Sequence, residues 1–408
     1  MDLQPQDIPD AHEQGTLKSK LGQYYTYNSD YILQGLSIPK GSTLIEPFAG
    51  DKQLCLWCEG KGFSNIECYD IDPKAAGVVQ RDTLKEPPNY KNKFVVTNPP
   101  YLARNKTSDK TIFDLYKTND LYKCFISSMI QGEVLGGVII VPLNFFCDSN
   151  CTDVRDRFLS NYNVEKLNIF EEEVFEDTSY TVCSFQFHKS AKENTELEID
   201  TTIFPRKENV TLSVEKEHGW KVAGELDKKV ENKYSVSRLV RPAGLTKIYL
   251  YGIDSGGPDG RIRLELKDEP FLGKDTDRAF ATLIVEPAIP MEIQEKVVES
   301  FNLEIESLRA KHNSLFLVNY RNSTKSYARK RIKFAMVYNM VKKITNEVEE
   351  EMIKEMKGRE EHLKTQLENL TDRVEWLEAQ IQEHEMSSEV IWFINSRYKA
   401  KFFNEEEE

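Results

Sequence analysis

Between Leu21 and Lys189, short β-rich runs alternate with segments of helical spacing, and that alternation leaves few folds open. Thr43-Leu-Ile-Glu46, Ile66-Glu-Cys-Tyr69, Phe94-Val-Val-Thr97 and Gly137-Val-Ile-Ile-Val141 predict buried strands. Asp120 to Gln131 and Val154 to Ser160 predict helices, and Thr181 to Phe187 a last strand. Strands interleaved with helices predict an α/β domain on a mostly parallel sheet. The longest apolar stretch, Gly136 to Phe146, is broken by Pro142 and Asn144, well short of the ~20 residues of a membrane span.

The pattern divides the chain. Residues 1–19 read as a flexible polar N-terminus and 20–190 as the α/β domain. Residues 191–344 read as a mixed second region, with strand-like pieces such as Lys247-Ile-Tyr-Leu-Tyr251 and a loop cluster at Ser255 to Gly260, taken as an ordinary turn. Over 345–386, Leu363, Leu367, Leu370, Val374, Leu377 and Ile381 form a heptad seam among charged faces, which predicts a coiled coil. Its partner is a second copy or another protein, against the plainer option of a helix folded back on its own chain. Residues 387–408 read as a tail.

The seven cysteines lie between Cys55 and Cys183, an odd number that argues against a disulfide framework. No secretory signal pattern opens the chain, so the expected compartment is the cytoplasm, or the nucleus for a virus of a eukaryotic host. Cys55 and Cys58 fall on a predicted helix and the six histidines show no ligand spacing, so no metal site is expected. The net charge of −13 conceals a strong asymmetry. From Arg309 to Ile344 there are 10 Lys/Arg and no acid, whereas residues 345–408 hold 18 Asp/Glu against 8 Lys/Arg. The basic segment is a candidate nucleic-acid footprint. Arg321, Lys325, Arg329, Lys330, Arg331 and Lys333 are its candidate contacts, mostly to phosphates.

The chemistry concentrates at strand ends, where open α/β sheets hold ligands. Asn98-Pro-Pro-Tyr101 follows a predicted strand directly. An Asn oxygen beside a peptide carbonyl freed by the prolines makes a double acceptor suited to an NH₂ group. The adjoining tyrosine offers a flat face for a base. Upstream, Leu44-Ile-Glu-Pro-Phe-Ala-Gly50 is a strand with a tight glycine turn that lets backbone approach a ligand. A second strand ends in Tyr69-Asp-Ile-Asp-Pro73, with a carboxylate placed for ribose hydroxyls, and Asp82 follows.

These motifs, over Lys20 to Lys189, resemble the S-adenosylmethionine-dependent amino-methyltransferases, specifically the gamma class of N6-adenine DNA methyltransferases. The resemblance implies a Rossmann-like catalytic domain, then a target-recognition region and the coiled coil. It implies S-adenosylmethionine as cofactor, bound by Tyr25 and Thr26 of Gly22-Gln-Tyr-Tyr-Thr26, by Glu46, Phe48, Ala49 and Gly50, by Asp70 and Ile71, by Asp82, by Asn98 and by Phe125 of Asp120-Leu-Tyr-Lys-Cys-Phe125. The catalytic set implied is Asn98, Pro99, Pro100 and Tyr101, with Phe175 lining a flipped adenine. Asn98 and the Pro99 carbonyl would hold the amino group while its lone pair attacks the methyl, with no covalent enzyme intermediate.

Two departures stand out: Tyr27 replaces the motif's Pro, and Gly50-Asp-Lys-Gln53 lacks the usual second glycine. The expected activity is site-specific adenine methylation of double-stranded DNA in a restriction–modification or viral modification system. The alternatives are an RNA or protein-glutamine amino-methyltransferase, or a weakly catalytic DNA-binding assembly subunit.

Overall fold

β-branched apolar runs form strands here, and the amphipathic runs between them form helices, in the predicted order. The computed structural model describes residues 26–175, 178–240, 246–255, 260–274, 277–322, 329–383 and 388–403. A turn of helix, α1 (Ser29–Ile32), precedes β1 (Leu44–Glu46), α2 (Gln53–Gly60), β2 (Ile66–Asp70), β3 (Val79–Gln80) and β4 (Phe94–Thr97). There follow α3 (Thr111–Tyr116), α4 (Leu121–Gln131), β5 (Gly136–Pro142), α5 (Asn144–Cys147), α6 (Thr152–Asn161), β6 (Tyr162–Phe170) and β7 (Val182–Lys189).

These strands, with β8 (Glu196–Phe204) and β9 (Glu208–Glu215), make one nine-stranded sheet in the order β3-β2-β1-β4-β5-β7-β6-β8-β9. Strands β3 to β5 are mutually parallel, and β7 runs antiparallel to both β5 and β6. All of β5 is buried, as its unbroken apolar run requires of a strand covered on both faces. At Gly137 (φ +153°) a Cβ would stand 2.0 Å from the Val95 carbonyl oxygen, so β4 and β5 pair there only because the residue is glycine. The sheet continues past Lys189, so the boundary expected at 190 falls inside it. Ile199, Thr201 and Ile203 bury one face of β8 while its backbone extends the ladder along β6.

The sheet order reverses between β1 and β4: the chain runs outward through β2 and β3, then returns to the other side of β1. The carboxyl ends of β1, β2 and β4 meet at that switch point, the usual place for a ligand in an open α/β sheet.

Beyond the sheet come β10 (Ser235–Arg238), β11 (Ile248–Tyr251), β12 (Ile253–Asp254), β13 (Arg263–Leu266), β14 (Phe280–Glu286), α7 (Met291–His312), β15 (Val318–Arg321) and β16 (Arg329–Arg331). Strands β10, β14, β11 and β13 form an antiparallel sheet against which α7 packs Ile293, Val297, Phe301 and Ile305. The Asn302 side chain pairs with both the amide and the carbonyl of Leu264, at 2.8 and 3.0 Å, and locks that packing. The basic segment supplies β15 and β16, which join β12 in a small sheet of order β12-β16-β15.

The last long helix, α8 (Phe334–Glu383), starts eleven residues before the expected position, inside the basic segment. Val337, Met340, Val341, Ile344 and Val348 are buried at helical spacing, and this apolar stripe overrides the charge pattern. The described residues up to 345 form one compact unit and those from 346 on a second. In the second unit Leu363 and Leu367 of the seam are more than 60% exposed, while Ile381 is buried. The expected tail contains a helix, α9 (Ser388–Phe403), whose Ile394 and Asn395 share a recess with Val374, Leu377 and Ile381. Among the described residues no helix is long and apolar enough to cross a membrane.

Candidate active site

Glu46 closes β1 at the switch point. Its Oε1 accepts hydrogen bonds from Thr97 Oγ1 (2.6 Å) and the Phe48 amide (2.9 Å). Its Oε2 is equally buried and has no hydrogen-bond partner among the described residues. Burial drives this carboxyl far above the ordinary glutamate range, the hydrogen bonds from Thr97 and Phe48 only partly opposing it.

The loop after Glu46 turns through Gly50 (φ +51°), whose amide donates to Asp70 Oδ2 at 2.8 Å. Oδ1 of Asp70 accepts the Asp72 amide at 2.8 Å, so this carboxylate braces the loops after β1 and β2 and keeps further acceptor capacity. Where the second motif glycine is missing, Lys52 takes the left-handed conformation instead (φ +68°), its amide held by the Ala49 carbonyl at 2.7 Å. Asp82 uses Oδ1 to accept the amides of Leu84 and Lys85, both at 3.2 Å.

These ends enclose a mainly apolar cavity of about 340 Å³, within the range of small-molecule sites. Thr26, Glu46, Phe48, Ala49, Gly50, Asp70, Ile71, Asp82, Asn98 and Pro100 all line it. Ile71 is half exposed, an apolar side chain left open at the cavity wall. The opposite wall was not anticipated: Leu102, Ile112, Phe113 and Leu121 come from the loop after the Pro-Pro pair, from α3 and from the start of α4. Leu121 falls in the helix predicted from Asp120 to Gln131, whereas Ile112 and Phe113 are an apolar pair too brief to show a period.

Asn98 stands at the carboxyl end of β4, its amide oriented on both sides. Nδ2 donates to Thr26 Oγ1 at 3.1 Å, while the Tyr101 hydroxyl reaches two acceptors, Asn98 Oδ1 and the Ile140 carbonyl (3.0 Å). Tyr101 faces a second, more polar cavity of about 690 Å³, shared with Arg104, Lys110, Asp120, Lys123, Asn144, Tyr180 and Arg321. The Asn98–Tyr101 loop therefore separates two cavities, with Asn98 and Pro100 facing one and Tyr101 the other.

Several expected residues sit elsewhere. Phe125 is fully buried behind Phe48, edge to face at 5.2 Å, and supports the first cavity's wall without lining it. Phe175 is buried and lines neither cavity; Tyr180, five residues on, occupies the rim instead. Pro99 is buried in the loop. Tyr25 and Lys325 lie outside the described residues.

The basic segment is divided. Arg321 stacks on Tyr180 with its guanidinium 4.0 Å from the ring centre, and donates to Ser179 Oγ at 3.1 Å. Lys330 instead pairs with the buried Glu171 at 2.5 Å, and Arg206 joins the same carboxylate at 2.7 Å. Burial pushes Glu171 up, but these two cations outweigh it and hold the carboxyl below its usual range. Lys333 pairs with Asp227 at 3.2 Å. The expected phosphate contacts from Lys330 and Lys333 are thus internal ion pairs, because a charge folded against the sheet needs a partner. Arg329 and Arg331 are partly exposed on β16.

Residues 57–175 match the family model of the Eco57I restriction-modification methylases, a stretch that includes Asp70, Asp82 and the Asn98–Tyr101 loop. The matched stretch is less than a third of the chain. No curated protein matches the chain. Among solved structures it is similar to a protein described as a modification subunit of a type I restriction enzyme from Vibrio vulnificus YJ016 (14% identity, 46% of this chain and 48% of that one, TM-score 0.35). It is also similar to the methyltransferase subunit of a type I restriction-modification system from Streptococcus thermophilus (14% identity, 47% and 50%, TM-score 0.34). A third is a protein described as a class I S-adenosylmethionine-dependent methyltransferase from Listeria monocytogenes (17% identity, 42% and 61%, TM-score 0.32). The chain spans less than two thirds of the length of each.

Proposed function

We propose that this chain methylates the exocyclic amino group of an adenine flipped out of double-stranded DNA, using S-adenosylmethionine, within a restriction–modification or viral modification system. The observation that carries the reading is the Asn98–Tyr101 loop between two cavities, one apolar and ringed by carboxylates, the other polar and lined by cations.

The first cavity fits the cofactor by the chemistry of its donors. Glu46 Oε2, buried and without a hydrogen-bond partner among the described residues, matches the cofactor's ammonium, Asp70 keeps acceptor capacity for ribose hydroxyls, and Ile71 and Leu84 offer apolar contact to its adenine. Bound there, S-adenosylmethionine supplies an electrophilic methyl. The chain's own residues orient the nucleophile. Asn98, held by Thr26 on one side and Tyr101 on the other, presents a second lone pair of Oδ1 to an N–H of the amino group. That contact favours a localised nitrogen lone pair and fixes its direction of attack, the orientation contribution to catalysis. Tyr101, Tyr180 and Arg321 line the cavity proposed for the base, and Arg321 reaches its rim for a neighbouring phosphate. The exposed seam around Leu363 and Leu367 is proposed to pair with a second copy of this chain.

The test is transfer of labelled methyl from S-adenosylmethionine to unmethylated duplex DNA, comparing the wild type with Asn98→Ala. The reading expects label in N6-methyladenine and at least a hundredfold loss in the variant. Cofactor binding without any transfer to DNA overturns it.

A further inference from the structure

The second cavity contains one group that none of the chemistry above uses. Asp120 precedes α4 and lines this cavity with Tyr101. A backbone bridge from Ala103 to Asp120 ties it to the residues just after the Asn98–Tyr101 loop. Its Oδ1 is buried without a hydrogen-bond partner among the described residues, and its side chain caps no helix amide. The nearest cation does not neutralise it: Lys123 Nζ donates instead to Asn119 Oδ1 and the Asn150 carbonyl, both at 2.8 Å.

A buried carboxyl without an ion-pair partner is most stable as the neutral acid, which carries one O–H donor. Adenine's amino group sits beside a ring nitrogen that accepts a hydrogen bond and cannot donate one. A carboxylate facing that nitrogen sets lone pair against lone pair, whereas the acid form matches it. We propose that Asp120 reads the target base, its carboxyl in the acid form donating a hydrogen bond to the ring nitrogen adjoining the amino group. This rests on the methyltransferase reading above and adds a specificity-determining residue to it.

The titration behaviour agrees. Burial pushes the carboxyl up to about 7, against opposing pulls from Lys123 and nearby backbone amides. The other titratable or charged groups around it are Tyr122 and Cys124 on α4, and Tyr101, Arg104 and Lys110 from the loop after β4. Asp148 and Cys151 precede α6, and Tyr180 and Arg321 stand at the rim. The cations among them favour ionisation, so the acid form is lost on the alkaline side of neutrality.

The experiment follows methyl transfer to unmethylated duplex DNA by the full chain from pH 6 to 9, for the wild type, Asp120→Asn and Asp120→Leu, with cofactor affinity measured alongside. A single acid titrating near 7 requires wild-type kcat/KM to fall about 25-fold between about pH 6.5 and 8.5. Asp120→Asn, a donor that does not titrate, is expected within threefold of wild type at pH 6.5 and without the alkaline fall. Asp120→Leu is expected to lose at least tenfold throughout, with cofactor affinity within twofold of wild type. An alkaline fall that persists in Asp120→Asn overturns the proposal. So does an Asn variant as damaged as the Leu variant, which would make the carboxylate a proton acceptor. If the Leu variant also loses cofactor affinity, the pH profile of Asp120→Asn decides alone. No methyl transfer by the wild type overturns the methyltransferase reading itself, a result distinct from either.

Discussion

Glu46→Gln separates what the buried carboxyl does for the ligand from what it does to the fold. Glu46 Oε2 is buried and has no hydrogen-bond partner among the described residues, and burial holds the group protonated well above the ordinary glutamate range. A cationic ligand in this cavity restores a partner and expels the proton. Binding of S-adenosylmethionine should therefore release close to one proton, and affinity should rise with pH while the ligand-free group is still protonated. Removing one member of a buried, hydrogen-bonded charge pair costs about 2–5 kcal/mol, so a central figure of about 3 predicts roughly 150-fold weaker binding.

Stability moves the other way. A group whose pKa is raised on folding contributes stability that is complete below its unfolded pKa and is lost as pH rises through the folded value. Gln cannot ionise, so the ligand-free variant should melt higher than wild type above the ordinary carboxylate range. Calorimetric titration in two buffers of different ionisation enthalpy reads affinity and proton release together, and thermal melts read the stability. A variant that binds within threefold of wild type, with no proton released by the wild type, refutes the assignment of Oε2 to the cation.

Three other outcomes follow from the same structure. Arg321→Ala should weaken duplex binding and flatten its salt dependence by about one phosphate equivalent, whereas Lys330→Met should leave the salt slope alone and cost about 2 kcal/mol of folding stability by removing one of the two cations on Glu171 and leaving Arg206. Equilibrium binding across a salt series, with denaturant melts of both variants, distinguishes the two. Lys52→Gly should stabilise the fold by about 1 kcal/mol by relieving the left-handed backbone at that position, read as a higher denaturation midpoint. Leu363→Glu combined with Leu367→Glu should halve the molar mass measured by light scattering if the seam pairs two copies, with methyl transfer measured in parallel.

Most of the candidate site was legible because it lies where strands end. Glu46, Asp70 and Asn98 each close a run of alternating or continuous apolar residues, and such runs declare themselves in sequence. Leu102, Ile112 and Phe113 were not legible, since a loop and a six-residue helix have too short a period to register. Phe125 and Phe175 illustrate the opposite failure: an aromatic in a motif looks the same whether it faces a cavity or supports the residue that does.

Sequence alone determined the α/β alternation, the order of the strand-end motifs and the heptad spacing, because local periodicity encodes which face of each element is apolar. Tertiary structure decided the rest. It carried the sheet on to Glu215, assigned Lys330 to the buried Glu171 and Lys333 to Asp227, and left Glu46 Oε2 and Asp120 Oδ1 without hydrogen-bond partners among the described residues. Whether a charge meets solvent, a phosphate or a carboxylate depends on what the fold brings within a few ångströms, and residues distant in sequence supply that partner: Glu171 for Lys330, and Tyr180 for Arg321.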